Sequence, residues 1–224
     1  MSMSDLASST QMPAPVPMTV ESIFDIDLHG AEEIEKLRAL ENRDFTTPRA
    51  IDDNFLNACG IFAEFYDGLR YAGWSDFAQV DEDGSKFLTI EFLCTLEMVD
   101  HRSHKRVQYK FRLLGRSYML TFTDMSIALR FDPEARSKID ALPHFSPDAF
   151  WEEIGEPVSR QPRYSNIHNP TLRVMNRWST RFLTPRSDNR AVNRMDRAYL
   201  FAVVKKLKTN PTYFLLNHWV ELAI

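Results

Sequence analysis

Glycine is scarce in this sequence, 7 of 224 residues, or about 3% against the ~7% of an average protein. Such a shortage disfavours tight β-sandwiches and phosphate sites cradled by glycine-rich loops, whereas helices tolerate it. Cysteine is nearly absent. Cys59 and Cys94 are the two present, too few for a disulfide framework or a four-cysteine zinc module, and they read as small core hydrophobes. Long apolar runs are missing too: a run such as Tyr199 to Val204 is far short of the ~18 residues a membrane span needs. The first twenty residues hold no Lys or Arg, and prolines break their short apolar stretch, so they do not read as a secretory signal. These absences predict an intracellular protein, cytoplasmic or nuclear, with no membrane attachment. Catalytic signatures are lacking as well. The chain contains no Gly-x-x-x-x-Gly-Lys-Ser/Thr loop, no Gly-x-Gly-x-x-Gly, no Gly-x-Ser-x-Gly elbow, no Asp-Ser/Thr-Gly and no Cys/His knuckle.

What is present suits one folded domain. Apolar residues make up 44% and charged ones 26%, and a chain of this length can bury roughly 70% of its unfolded surface. The net charge of −4 conceals a division. From Pro157 to Lys208 there are 12 basic and 2 acidic residues, a local +10; the remainder holds 15 basic and 29 acidic, a local −14. Two arrangements would account for this. Either the later segment exposes a basic surface to a polyanion, or its bases pair with acids of the earlier segment inside the fold.

Residues 1–30, rich in Ser, Met and Pro at their start, read as a disordered leader. A helix is predicted over Ala31 to Glu41, with acids leading and bases following. Ile51 to Ala78 fits one or two helices broken near Gly60. Ser85 to Val99 is apolar nearly all round and reads as a buried helix capped by Ser85. The period then changes. Val107, Tyr109, Phe111 and Leu113 alternate with polar residues, and Tyr118 to Leu120 follows Gly115, which together predict a small antiparallel β-hairpin at about 106–120. Thr121 and Asp124 match a capping box opening a short helix. Further helices are expected from Ser146-Pro147 to Gly155, from Pro170 to Leu183 and from Asn193 to Lys208, with Asn-Pro pairs at 169–170 and 210–211 as starts. The apolar pattern of Thr212 to Ile224 reads either as a truncated frame or as a terminal helix docked into the core. The expected class is therefore mainly α, a single multi-helix domain over 31–224 with one small hairpin.

Candidate sites follow from the charge. On a helix at ~100° per residue, Leu172, Met175, Trp178, Phe182 and Leu183 share one face, and Arg173, Arg177 and Arg181 share the opposite one. Arg190, Arg194 and Arg197 continue the basicity. Guanidinium forks suit phosphate oxygens, and Tyr164, Trp178 and Tyr199 could stack bases if exposed. The alternative is a solvated helix face over a packed core. His101 and His104, with Asp100 and Cys94 in reach, lack a further ligand and read as a loop; Asp81, Glu82 and Asp83 lack the register of a calcium loop. No metal and no cofactor are expected.

Three stretches carry a resemblance: Phe87 to Glu97; Tyr109 to Phe131, where Phe111-Arg112-Leu113-Leu114-Gly115-Arg116 leads into Leu120-Thr121-Phe122-Thr123-Asp124; and Ile167-His168-Asn169-Pro170 with Arg177-Trp178 and the later helix pair. Their order resembles the first-reading-frame protein of Athila-type plant LTR retrotransposons and the related plant transposon domains. The strand–Thr–helix passage is similar to the plant mobile domain. The resemblance covers about Phe45 to the end. It implies a non-enzymatic, gag-like structural or interaction module, with self-association and RNA or DNA as partners. It supplies no catalytic residues to carry over, and this chain lacks the zinc knuckle that packages RNA. A domesticated protein–protein adaptor and a nuclease or transposase remnant are the competing expectations.

Overall fold

The computed structural model describes residues 26–43, 51–80, 84–99, 107–157, 161–186, 188 and 190–222. The Ser/Met/Pro stretch up to residue 25, the acidic triplet at 81–83 and Asp100, His101 and His104 lie outside them. Residues 26–30, assigned to the leader from sequence, belong to the fold. Ile26 is buried, and the Asp27 carbonyl accepts a 2.8 Å hydrogen bond from Arg112 Nη2.

Helix α1 (Ala31–Glu41) has the predicted bounds. It lies on α5 (Lys86–Thr95), whose first turn is capped by Ser85 Oγ accepting from the Leu88 amide at 3.3 Å. The helix expected to reach Val99 stops at Thr95, and Glu97–Val99 is strand β1. Thr95 makes the switch. Its hydroxyl donates back to the Glu91 carbonyl at 2.8 Å and accepts the Arg112 amide at 2.8 Å, which continues the sheet ladder. A run apolar all round fits either a buried helix or a buried strand by pattern alone. Strands β2 (Gln108–Leu113) and β3 (Arg116–Thr121) form the predicted hairpin, and the sheet order is β1-β2-β3, all antiparallel, with Tyr109 opposite Leu120 and Phe111 opposite Tyr118. The two turn residues Leu114 and Gly115 both have positive φ (54° and 69°), the geometry a two-residue hairpin turn needs. Thr121 and Asp124 complete the capping box that starts α6 (Phe122–Ala128).

The larger part of the core is built by the remaining helices. Asp52 caps α2 (Asp53–Ala58); Gly60 separates it from α3 (Phe62–Ala72), and the left-handed Gly73 leads to the short α4 (Ser75–Ala78). Helix α7 spans Pro147–Ile154, α8 Pro170–Phe182 and α9 Arg194–Val204. The last was expected to continue to Lys208, but the chain turns at Lys206 with φ 54°. Helices α3, α8 and α9 enclose Phe65, Leu69, Met175 and Tyr199, with Trp74 stacked on Trp178 at 6.0 Å. A Cβ at Gly68 would sit 2.7 Å from Met175 Sδ, so the Met175 side chain packs into the space that glycine leaves on α3. Thr209 and Asn210 then stitch the two parts together. Thr209 Oγ1 accepts from Trp74 Nε1 at 3.1 Å, and Asn210 Nδ2 donates to Ser126 Oγ at 2.9 Å. The final helix, α10 (Thr212–Leu222), docks by Leu215 and Leu216, both fully buried. More than half of the described residues are helical and the sheet is small, so the class is mainly α.

Candidate nucleic-acid interface

The sequence of α8 dictates two faces, and the fold uses them as the angles require. Asn169 accepts from the Leu172 amide at 3.1 Å and Pro170 occupies the first turn, which fixes where the helix begins and hence which way each side chain points. Leu172, Met175, Trp178 and Leu183 are buried; Arg173, Arg177 and Arg181 are exposed. Burying each large apolar side chain contributes roughly 1.5–3 kcal/mol, so the arginine face is held outward by its opposite side.

Each arginine is positioned differently. Arg173 Nε donates to the Ile167 carbonyl. Arg177 lies over the Tyr164 ring at 5.0 Å and donates to its hydroxyl at 3.3 Å. Arg181, one turn further on, lines a groove with Arg177 and Arg186. Among the described residues no carboxylate pairs with Arg173, Arg177 or Arg181, and all three keep their charge toward solvent. Arg190 is exposed and joins the neighbourhood through its backbone: its carbonyl accepts the Tyr164 amide at 3.0 Å. Arg194 is exposed in the first turn of α9.

Arg197 does not belong to this set. Its Nη1 donates to the Pro147 carbonyl at 3.0 Å and to Asp148 Oδ1 at 2.9 Å, and its side chain is only 14% exposed, so it clamps α9 to the start of α7. Lys205 does the same lower down, with Glu153 at 2.8 Å. Pairing of late bases with earlier acids thus holds for α9 and fails for α8. Of the aromatics proposed for stacking, Trp178 and Tyr199 are buried in the core and unavailable; Tyr164 is partly exposed beneath Arg177.

Sequence reasoning missed two residues beside α8. Arg186 anchors the loop after it. Its Nη2 donates to the Ala191 carbonyl at 2.6 Å and to the fully buried Asp196, while its Nη1 is buried without a partner among the described residues. Burial pushes the Asp196 carboxyl up, against the hydrogen bond and charge of Arg186 that pull it down. Phe55 on α2 is 52% exposed, a large value for a phenyl ring. The signal was legible in α2 itself: a six-residue helix whose Leu56 faces the core must turn its neighbour, one residue and ~100° away, outward.

A second cavity of about 620 Å³ lies among α3, α7, α8 and α9, and contains Glu64, Asp67, Glu153 and His168. Its carboxylates are engaged. Glu64 accepts from Asn169 Nδ2 and Thr171 Oγ1, Asp67 pairs with Arg70, and Glu153 with Lys205. Among the described residues no three of His, Cys, Asp and Glu group as a metal ion would require. Cys94, weighed as a ligand for His101 and His104, is buried, and burial pushes its thiol up to about 11. Among the described residues, too, no helix is long and apolar enough to cross a membrane.

The chain matches no family model, no curated protein and no solved structure.

Proposed function

We propose that this chain is a non-enzymatic, gag-like structural module of a plant retrotransposon that contacts RNA or DNA through the outer face of α8. One observation carries the nucleic-acid part. In a protein of net charge −4, Arg173, Arg177 and Arg181 stand in a row at one-turn intervals, exposed and, among the described residues, unpaired with acids, while Arg186, Arg197 and Lys205 have their carboxylates. Residues four apart on a helix are separated by a rise of ~6 Å, and the row presents guanidinium forks that match phosphate oxygens. Arg190 and Arg194 extend the charge beyond the helix end. The retrotransposon part rests on the resemblance of the hairpin–Thr–helix passage, whose geometry here is strand β3, the Thr121 cap and α6.

Filter binding of a single-stranded RNA at low and moderate salt tests the nucleic-acid reading. The expected result is binding that weakens steeply with salt, as counterion release requires; no retention at low salt contradicts it. Self-association is tested by light scattering over a concentration series. A gag-like module assembles, by way of apolar surface such as Leu114, Met119 and Ile127 (54%, 57% and 59% exposed). A strict monomer at high concentration favours the adaptor reading instead.

A further inference from the structure

Beside the arginine row, α2 and α8 leave a groove of about 680 Å³ between them. Its chemistry is unlike that of the second cavity. Phe55 of α2 and Phe182 of α8 both line it, and Arg177, Arg181 and Arg186 bring three guanidinium groups to it. Asp52 is the acid in the lining, and one of its oxygens is taken up by the amides of Asn54 and Phe55 at 2.9 and 3.1 Å, capping α2. Among the described residues Arg186 Nη1 is a buried donor with no partner, which is costly to maintain unless something accepts from it.

We propose that this groove holds one unpaired nucleotide of a single-stranded nucleic acid, its base stacked on Phe55 and its phosphate on Arg177 and Arg181. The inference rests on the nucleic-acid reading above and deepens it by naming the form of the ligand. Three features select this occupant. The volume falls within the ~300–1,000 Å³ typical of small-ligand sites and accommodates a base with its sugar. A half-exposed phenyl ring offers the π-face on which any base stacks, whatever the sequence. Guanidinium groups lining the same groove meet the phosphate that a base in this position must carry with it. A duplex satisfies the arginine row but not the groove, because a stacked, paired base has to be extruded before it can enter, at a cost of a few kcal/mol.

The test uses the full chain with two probes, an unstructured adenine–cytosine RNA oligonucleotide and a duplex with the same number of phosphates, in wild type, Phe55→Ala and Phe55→Trp. The prediction is tighter binding of the single strand than of the duplex. Phe55→Ala weakens single-strand affinity by about tenfold, within the range measured for base–aromatic stacking, leaves duplex affinity and the salt slope unchanged, and abolishes the fluorescence change of a 2-aminopurine in the strand. Phe55→Trp restores both affinity and fluorescence change. Because Phe55 is half-exposed, both variants are expected to fold, and thermal melts followed by circular dichroism verify this. Salt-dependent binding that is equal for strand and duplex and indifferent to Phe55→Ala overturns this inference and leaves the polyanion reading standing. Absence of binding to both probes overturns the two together.

Discussion

Glu91 is a residue whose role pattern alone conceals. It is 1% exposed in the middle of α5, among Ile90, Leu93 and Cys94, where an ionisable side chain is expected only with partners. The structure supplies them: its two oxygens accept the Leu114 and Gly115 amides at 2.7 and 2.9 Å, holding the hairpin turn whose first position is a leucine at positive φ. Glu91→Ala is therefore expected to cost about 1–3 kcal/mol in urea unfolding. Glu91→Gln should cost a substantial share of that, because its NH2 group must face one of the two amide donors. A loss below a few tenths of a kcal/mol for both would mean that the turn holds itself. The sequence carried half of this: Gly115 marked the turn, but the need for a carboxylate arises only once α5 packs on the hairpin.

At the scale of elements, local chemistry was most legible where a side chain caps a backbone. Ser85, Thr121 and Asn169 all do what their positions foretold, and Asn193, expected only as the start of a helix, caps α9 with Asp196. Boundaries set by tertiary contact were not. β1 exists because Thr95 bonds to Arg112, and α9 ends at a lysine rather than a glycine. The tie between α1 and β2 is of the same kind: the half-buried Glu33 accepts both Nη groups of Arg112. Burial raises the Glu33 carboxyl, but the Arg112 hydrogen bonds, the His29 amide and the Arg112 charge outweigh it, and the net direction is downward. A depressed carboxylate stabilises the fold above its unfolded value, near 4.5, and loses that contribution as pH falls through the lower folded value. Stability should thus decline below about pH 4.5, and amide exchange in α1 should accelerate there. Asp27, Asp124 and Asp188 are also held low by hydrogen bonds. The contrast with Glu33→Gln isolates the pair: this variant should show faster α1 exchange already at neutral pH and a smaller further change on acidification. An acid response identical to wild type would remove Glu33 from the explanation.

For the whole molecule, the question is what joins the three apolar clusters of the described residues. Trp219 on α10 packs against the main helical core, the α1–α5 cluster and the sheet cluster together. Trp219→Ala should cost roughly 2–4 kcal/mol, somewhat under the range for a fully buried Trp. It should also broaden or split the thermal transition, which is expected to be single in the wild type. A single, equally sharp transition at an unchanged midpoint would show that the clusters do not communicate through it. Charge was legible at this scale as an imbalance, not as a surface. The +10 segment said nothing of which bases would meet acids, since Asp148 and Glu153 reach Arg197 and Lys205 only because α7 packs on α9.

The row on α8 escapes that neutralisation, and the salt dependence of RNA binding tests it most directly. Affinity for a single-stranded RNA is measured across a salt series for wild type and for Arg173→Ala, Arg177→Ala and Arg181→Ala combined. Each lost phosphate contact lowers the slope of log affinity against log salt by about 0.7. The triple variant should therefore bind weakly, with a slope smaller by roughly 2. Unchanged affinity and an unchanged slope would contradict the account.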